Sequence, residues 1–351
     1  MKVSTVGIDL GKTSFHVVGL DQPGKVVLKR RPSWSQLLRQ FANAPTCLIG
    51  MEACCGAHHL GAALAAQGHQ VRLIPPQFVR PFVKSNKNDY NDAEAIAEAV
   101  QRPTMRFVPL KSQEQLDLQA LHRVRDRLVS RRTAVINQMR AFLLERGLTF
   151  RRGRNHLEQQ IPFLLEDAEI NLSPRLRQLL DELWRECKAL TSQIETASQQ
   201  IERIASEDVD CQRLQEIPGV GPLTATALVA AIGNGSAFCK GRDLAAWLGL
   251  VPRQHSTGGK AKLLGISKRG NPYLRRLFIH GARAVLTQGK RERLSFGSWI
   301  GELEQRMHRN VAVVAVANKL ARIAWAVLAT GAPYRWPAER SSEKAGPREA
   351  A

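Results

Sequence analysis

Val3-Ser4-Thr5-Val6-Gly7-Ile8-Asp9-Leu10-Gly11 reads as a short buried strand that delivers one carboxylate, Asp9, to its carboxyl end. Val3, Val6, Ile8 and Leu10 form an apolar run closed by glycine, as a core strand does. Lys12-Thr13-Ser14 makes a turn, and Phe15 to Leu20 a second strand. Asp21-Gln22-Pro23-Gly24 is a hairpin signal that leads into a third strand from Lys25 to Lys29. An aspartate at the tip of a central strand costs free energy unless a metal or hydrogen bonds satisfy it. On its own, Asp9 is better read as a turn-capping side chain.

Further carboxylates recur where more ligands would be wanted. Thr46 to Met51 is another short apolar run, and it ends at Glu52. In Asn88-Asp89-Tyr90-Asn91-Asp92-Ala93, Asn91 or Asp92 is a good helix N-cap, with the helix running from Asp92 to Val100. Asp89 and Asp92 stand three residues apart at its start and can face one side. Ordinary capping explains that pair alone. Asp9, Glu52, Asp89 and Asp92 together favour one or two Mg²⁺ ions, which need hard oxygen ligands on rigid elements.

The chain has 351 residues, room for two or three domains. Lys and Arg number 51 against 31 acids, a formal charge of +20 that points to a polyanionic partner, most simply nucleic acid. Six cysteines (47, 54, 55, 187, 211, 239) lack C-x-x-C spacing and suggest a reducing compartment. The adjacent pairs Cys54-Cys55 and His58-His59 are poorly spaced for tetrahedral zinc. No signal peptide and no membrane-spanning apolar run are expected, so the expected location is cytoplasmic and nucleoid-associated.

Residues 1–107 alternate strands and helices. Ser33 to Asn43 is a helix, the Glu52 strand follows, and an Ala-rich helix near His58 to Gln67 leads to a fifth strand at Gln70 to Pro75. This order fits an α/β domain with a mixed sheet covered by helices. Residues 108–206 are helical. Leu121, Leu128, Val135 and Phe142 step by seven, with Val124 and Met139 in the same seam. Arg123, Arg125, Arg127, Arg131 and Arg132 crowd the rest of that helix, as a solvated face or as a track for phosphates. A connector is expected over Arg151 to Ile170. From a Ser173 cap and Pro174, the positions Leu176, Leu180, Leu183, Cys187, Leu190, Ile194, Ala197, Ile201 and Ile204 form a heptad seam, hence a coiled coil. Its partner is either the first long helix or another subunit.

Residues 207–337 are mainly helical. Ile217-Pro218-Gly219-Val220-Gly221-Pro222 is similar to the hairpin of a helix-hairpin-helix motif, in which Gly219 and Gly221 would let backbone N–H groups approach a DNA phosphate. A tight turn between packed helices is the alternative. From Arg253 to Arg293 there are eleven Lys or Arg against one acid, Glu292. Within this stretch, Pro252 to Lys260 reads as a small-residue loop with Ser256 among cations, a candidate nucleophile or a merely solvated hydroxyl. Candidate nucleic-acid contacts are Lys12, Lys87, Arg125, Arg132, Arg253, Lys260, Lys262, Lys268, Arg269, Arg275 and Arg276. A helix starts near Leu274, an apolar one spans Asn310 to Ala329, and residues 338–351 form a polar tail expected to be disordered.

Gly7-Ile8-Asp9, Met51-Glu52-Ala53, Asn86-Lys87-x-Asp89-x-x-Asp92-Ala93, Ile217-Pro218-Gly219-Val220-Gly221 and Gly249-Leu250-x-Pro252-Arg253-x-x-Ser256 occur in order. The set resembles the insertion-sequence "one-ten" family of transposases over roughly residues 3 to 330. The resemblance implies an RNase H/RuvC-like domain whose DEDD tetrad is Asp9, Glu52, Asp89 and Asp92. It also implies a coiled coil and a transposase domain with an essential serine, Ser256; Thr257 replaces the glycine found in many relatives. Implied partners are donor and target DNA, a guide (bridge) RNA and a homo-oligomer, a tetramer built as a dimer of dimers. The tetrad's Mg²⁺ would activate the scissile phosphate and Ser256 would attack it, leaving a phosphoserine–DNA link.

Three alternatives remain at this point. A RuvC-like nuclease or Holliday-junction resolvase would use water and form no covalent intermediate. Gly7 to Ser14 also resembles the phosphate loop of actin-like ATPases and sugar kinases, but the second Asp-x-Gly loop that fold requires is missing. An architectural DNA-binding protein would explain the charge and not the four carboxylates.

Overall fold

The computed structural model describes residues 3–84, 88–151, 153–287 and 294–334, and the chain divides into two compact units, Met1–Ser112 and Gln113–Ala351. In the first unit the strands are β1 (Thr5–Leu10), β2 (Phe15–Leu20), β3 (Val26–Arg30), β4 (Leu48–Glu52) and β5 (Gln70–Ile74). The helices are α1 (Trp34–Ala42), α2 (Ala57–Ala66), α3 (Pro76–Val79), which continues into a 3₁₀ turn at Arg80–Phe82, and α4 (Asp89–Ala99). The sheet order is β3-β2-β1-β4-β5, antiparallel across the first three strands and parallel across β1, β4 and β5. It is the mixed sheet with flanking helices that the strand signals foretell, and it fits a RuvC-like domain.

The two faces of this sheet are built differently. Val6, Ile8, Ile49 and Met51 point to one side, where they bury against Leu37 and Phe41 of α1 and Leu60 and Leu64 of α2. On the other side Gly7 and Gly50 are register partners on neighbouring strands, which leaves a bare strip of backbone. A Cβ on Gly7 would lie 2.0 Å from the Ala93 carbonyl oxygen and 2.5 Å from the Ala97 nitrogen, and one on Gly50 2.8 Å from the Val100 Cβ. Helix α4 therefore lies directly on β1 and β4. Side chains alternate along a strand, so Asp9 and Glu52, each two residues beyond its glycine, emerge on the face that α4 covers.

Helix α4 starts earlier than the sequence suggests. Asn88, not Asn91 or Asp92, is the N-cap: its backbone is extended and its side chain accepts the Tyr90 N–H at 2.9 Å. Asp89 and Asp92 both fall in the first turn, where the helix dipole favours negative charge.

The second unit is mostly helical. It contains α5 (Gln113–Leu144), α6 (Arg154–Glu166), α7 (Pro174–Glu207), α8 (Val209–Gln215), α9 (Pro222–Ile232) and α10 (Gly241–Trp247). The hairpin β6 (Pro252–Thr257) and β7 (Lys260–Ile266) precedes α11 (Pro272–Thr287), α12 (Gly297–Arg306) and α13 (Arg309–Thr330). Ser173 caps α7 as expected, accepting from the Leu176 N–H. The α7 seam at Leu180, Cys187, Leu190 and Ile194 buries against Leu128, Val135, Ile136, Met139 and Leu143 of α5. Arg125 bonds Ser198, Arg132 bonds Thr191 and Arg131 pairs with Glu186, so the two long helices run antiparallel within one chain.

Several expectations for this unit are corrected. Val124 is 45% exposed and lies off the seam; Leu121 and Phe142 are only half-buried. The stretch expected to be a connector folds into α6, because Leu157, Ile161 and Leu164 recur at helical spacing and cover the same core. Helix α13 has the length and composition to cross a membrane, contrary to the sequence reading. Its Val313, Val316, Leu320 and Ala324 are buried in a core shared with α8, α10, α11 and α12, which makes it the central helix of that core. The tail over 338–351 lies outside the described residues.

Candidate active site

Antiparallel pairing sets Asp9 opposite His16 on β2. The His16 Nδ1 lies 3.5 Å from the Asp89 Oδ2, and its ring meets that of Tyr90 edge-on. Ligand atoms of Asp9, His16 and Asp89 all lie within 4.8 Å of one another, close enough to share a cation. Asp9, Glu52 and Asp92 line one cavity of about 200 Å³ with Pro76, Val79, Arg80 and Val83. Burial pushes the Asp9 carboxyl above its ordinary range, Asp89 and Asp92 push it further, and His16 and the Leu10 N–H oppose the rise. Glu52 is raised by burial, then by Asp9 and Asp92. Four carboxylates thus form one repelling cluster of hard oxygen donors, the chemistry of a divalent-cation site. The two zinc-like histidines are engaged elsewhere: His58 accepts the Lys111 N–H at 3.2 Å, and His59 stacks on Trp34.

Ser256 belongs to the second unit, on a strand and not in the loop expected. Gly258 and Gly259 both take positive φ, 57° and 76°, so they close a two-residue hairpin between Thr257 and Lys260. Both strands are exposed along nearly their whole length. Ser256 Oγ accepts a hydrogen bond from Gln254 Nε2 at 2.6 Å. The register places Gln254, Ser256, Ala261 and Leu263 on one face and His255, Thr257, Lys260 and Lys262 on the other. The serine is therefore not set among the hairpin's lysines: it shares a neutral face, with the lysines behind it.

A family model described as "Transposase", for the DEDD type of IS110, matches residues 6–146, which include all four carboxylates. A second, described as "Transposase IS116/IS110/IS902 family", matches residues 211–295, which include Ser256. The chain is 44% identical over 333 residues to the transposase for insertion sequence element IS1111A of Coxiella burnetii, covering 95% of this chain and 92% of that one. It is 45% identical over 332 residues to the transposase for insertion sequence element IS1328 of Yersinia enterocolitica, covering 95% and 98%. It is also 46% identical over 336 residues to a probable family 20 transposase of Pseudomonas aeruginosa, covering 95% and 99%. The chain belongs to the IS110/IS116 family of transposases.

DNA is the transposase's substrate, and its candidate contacts divide by environment. Arg253, Lys260, Lys262, Lys268 and Arg269 are exposed, as is Lys12 in the turn after Asp9. Lys87 lies outside the described residues. Others have internal partners. Arg275 donates to the Leu248 and Arg269 carbonyls at 2.9 and 2.7 Å. Arg276 pairs with Asp126 and stacks on Tyr273, while Arg125 and Arg132 bridge α5 to α7. Gly219, at φ 82°, is demanded by packing, since its Cβ would lie 2.7 Å from the Gly281 carbonyl oxygen of α11; Gly221 faces open space. Two residues of the transposase's acidic pocket escape sequence reading, His16 and Arg80. His16 is implied by the β1–β2 register alone; Arg80 has only a proline-flanked turn after β5 to mark it.

Proposed function

We propose that this transposase cuts and rejoins the DNA of an insertion sequence with a metal-bound DEDD tetrad and a nucleophilic serine. Asp9, Glu52, Asp89 and Asp92 would hold one or two Mg²⁺ ions, and the raised proton affinity of Asp9 and Glu52 is what a cation would relieve. When bound, such ions polarise the scissile phosphate and neutralise charge on the oxygens around phosphorus. Ser256 Oγ forms a bond to phosphorus as the bond to the leaving strand breaks; the serine proton is lost and the leaving oxygen gains one. The phosphoserine link retains the phosphodiester energy, so an incoming strand's hydroxyl can reseal it without ATP. The tetrad and the serine belong to different compact units of the chain.

The observation that carries this reading is the convergence of four carboxylates from β1, β4 and the head of α4. The family resemblance further supports a bridge RNA pairing with donor and target DNA, and a tetramer. Coiled-coil packing in the middle region and phosphate binding by the hairpin before α9 belong to the same proposal, as does a cytoplasmic, nucleoid-associated location for a chain of charge +20. The test is recombination by Ser256→Ala and Asp9→Ala proteins purified with their RNA. Wild-type rates from either variant would remove its assigned role. The second reading, a resolvase-like nuclease that uses water, draws on the self-contained acid cluster and on Ser256 standing apart from the lysines. A denaturing gel for covalent protein–DNA complexes separates the two, since water leaves no adduct.

A further inference from the structure

Arg80 lines the same cavity as Asp9, Glu52 and Asp92. Its charge remains uncommitted there: among the described residues no carboxylate forms an ion pair with it. Nearby Lys84, by contrast, is paired with Glu94 and Glu98. The ordinary use of an arginine beside acids is thus not the use made of this one.

The backbone that carries it is stiff. Pro75, Pro76 and Pro81 fix φ at three positions around it, and Val79 is buried among Ile74, Ala95, Ile96, Ala99 and Val100. The turn is thereby clamped to α4, the helix that brings Asp89 and Asp92. The stiff backbone fixes where the side chain starts, and the exposed guanidinium at its end can make a planar, two-pronged contact with an oxyanion. Charge balance asks for such a group. Two divalent cations would neutralise the four carboxylates, and an arriving phosphodiester brings one more negative charge. Val79, Val83 and Pro76 give the same cavity an apolar wall, suited to a sugar or base edge.

We propose that Arg80 is the phosphate-positioning residue of the acidic site: it grips a non-bridging oxygen of the DNA phosphodiester and turns it toward the tetrad. This rests on the metal reading of the tetrad given above. The test uses the full-length protein in calcium and two probes, terbium luminescence for the cation site and calorimetric titration with thymidine 5′-(p-nitrophenyl phosphate) for the anion. The expected result is that Arg80→Ala weakens binding of the phosphodiester by about tenfold, as for loss of a charge-assisted contact, while terbium affinity stays within about twofold. Arg80→Lys should recover part of the loss, because it keeps the charge without the fork. Unchanged phosphodiester affinity in Arg80→Ala would overturn the assignment, and so would an equal change in terbium affinity, which would place Arg80 in the scaffold of the acids. Failure of the wild-type protein to take up terbium is a different result: it would overturn the metal reading itself and this inference with it.

Discussion

Asp9 and Glu52 keep their protons to higher pH than ordinary carboxyls because burial and neighbouring acids disfavour their charge. The sign of the effect on stability follows. An acid with a raised folded-state pKa binds more protons folded than unfolded, so its contribution is favourable on the acid side and is lost as pH rises through the raised value. In metal-free buffer the contribution of these two acids to stability, read as the difference between wild type and Asp92→Asn, should therefore fall between the carboxylate range and neutral pH, and Mg²⁺ should restore it. Asp92→Asn removes one repelling charge from both groups; its metal-free melting temperature at neutral pH should exceed that of wild type, and its response to Mg²⁺ should shrink. Melting curves in EDTA and in Mg²⁺ across that pH range decide the matter. If Asp92→Asn melts lower than wild type in EDTA and responds equally to Mg²⁺, the repulsion is not what governs this site. The four acids were legible because each ends or begins an element. His16 was less so, since its place depends on how two strands align and not on its own neighbours in sequence.

At the level of elements, the contact between α4 and the sheet is what aims the acids. Gly7 meets backbone atoms of α4 that cannot swing aside, whereas the Cβ at Gly50 would meet side-chain atoms of Val100 and Ile96. Gly7→Ala should cost about 1–3 kcal/mol, the usual range for overpacking, and also abolish Mg²⁺ stabilisation. Gly50→Ala should be milder on both counts in denaturant unfolding with and without metal. The β6–β7 hairpin allows a separate prediction. Its lysine face points away from Ser256, so Lys260 and Lys262 lie outside the serine's immediate surroundings and are expected to meet phosphates instead. Replacing both with alanine should flatten the slope of log affinity for duplex DNA against log salt by about 1.8, near 0.9 for each lost phosphate contact. An unchanged slope in fluorescence anisotropy would show that this face does not meet DNA. The alternation of strand side chains could have revealed the two faces from sequence, had Gly258-Gly259 been read as a hairpin turn and not as part of a small-residue loop. Likewise α6 escaped detection because Pro162 sits inside it and the region begins with a run of basic residues.

Across the whole molecule, boundaries placed near residues 107 and 207 separate a helical middle from a C-terminal region, yet both lie in one compact unit. One buried side chain helps to explain why. His122 of α5 is 3% exposed, with Nδ1 3.0 Å from the Tyr273 hydroxyl of α11 and Nε2 2.9 Å from the Thr226 hydroxyl of α9. Nothing in the sequence marks it, because its partners stand 104 and 151 residues away. Burial, and then Arg125, push its pKa down to about 4, so it stays neutral in the folded protein well below the pH at which it charges in the unfolded chain. Folded protein then binds fewer protons than unfolded, and stability is fully present above about pH 6.5 and lost as pH falls toward 4. His122→Phe keeps the bulk and removes the titration, but takes one hydrogen-bond partner from each of the Tyr273 and Thr226 hydroxyls and should cost about 1–3 kcal/mol at neutral pH. Its stability should also decline less than that of wild type between pH 6.5 and 4, so the two unfolding curves converge on acidification. Parallel curves would mean that His122 charges without penalty where it sits. The α5–α9–α11 junction would then owe nothing to the neutrality of His122.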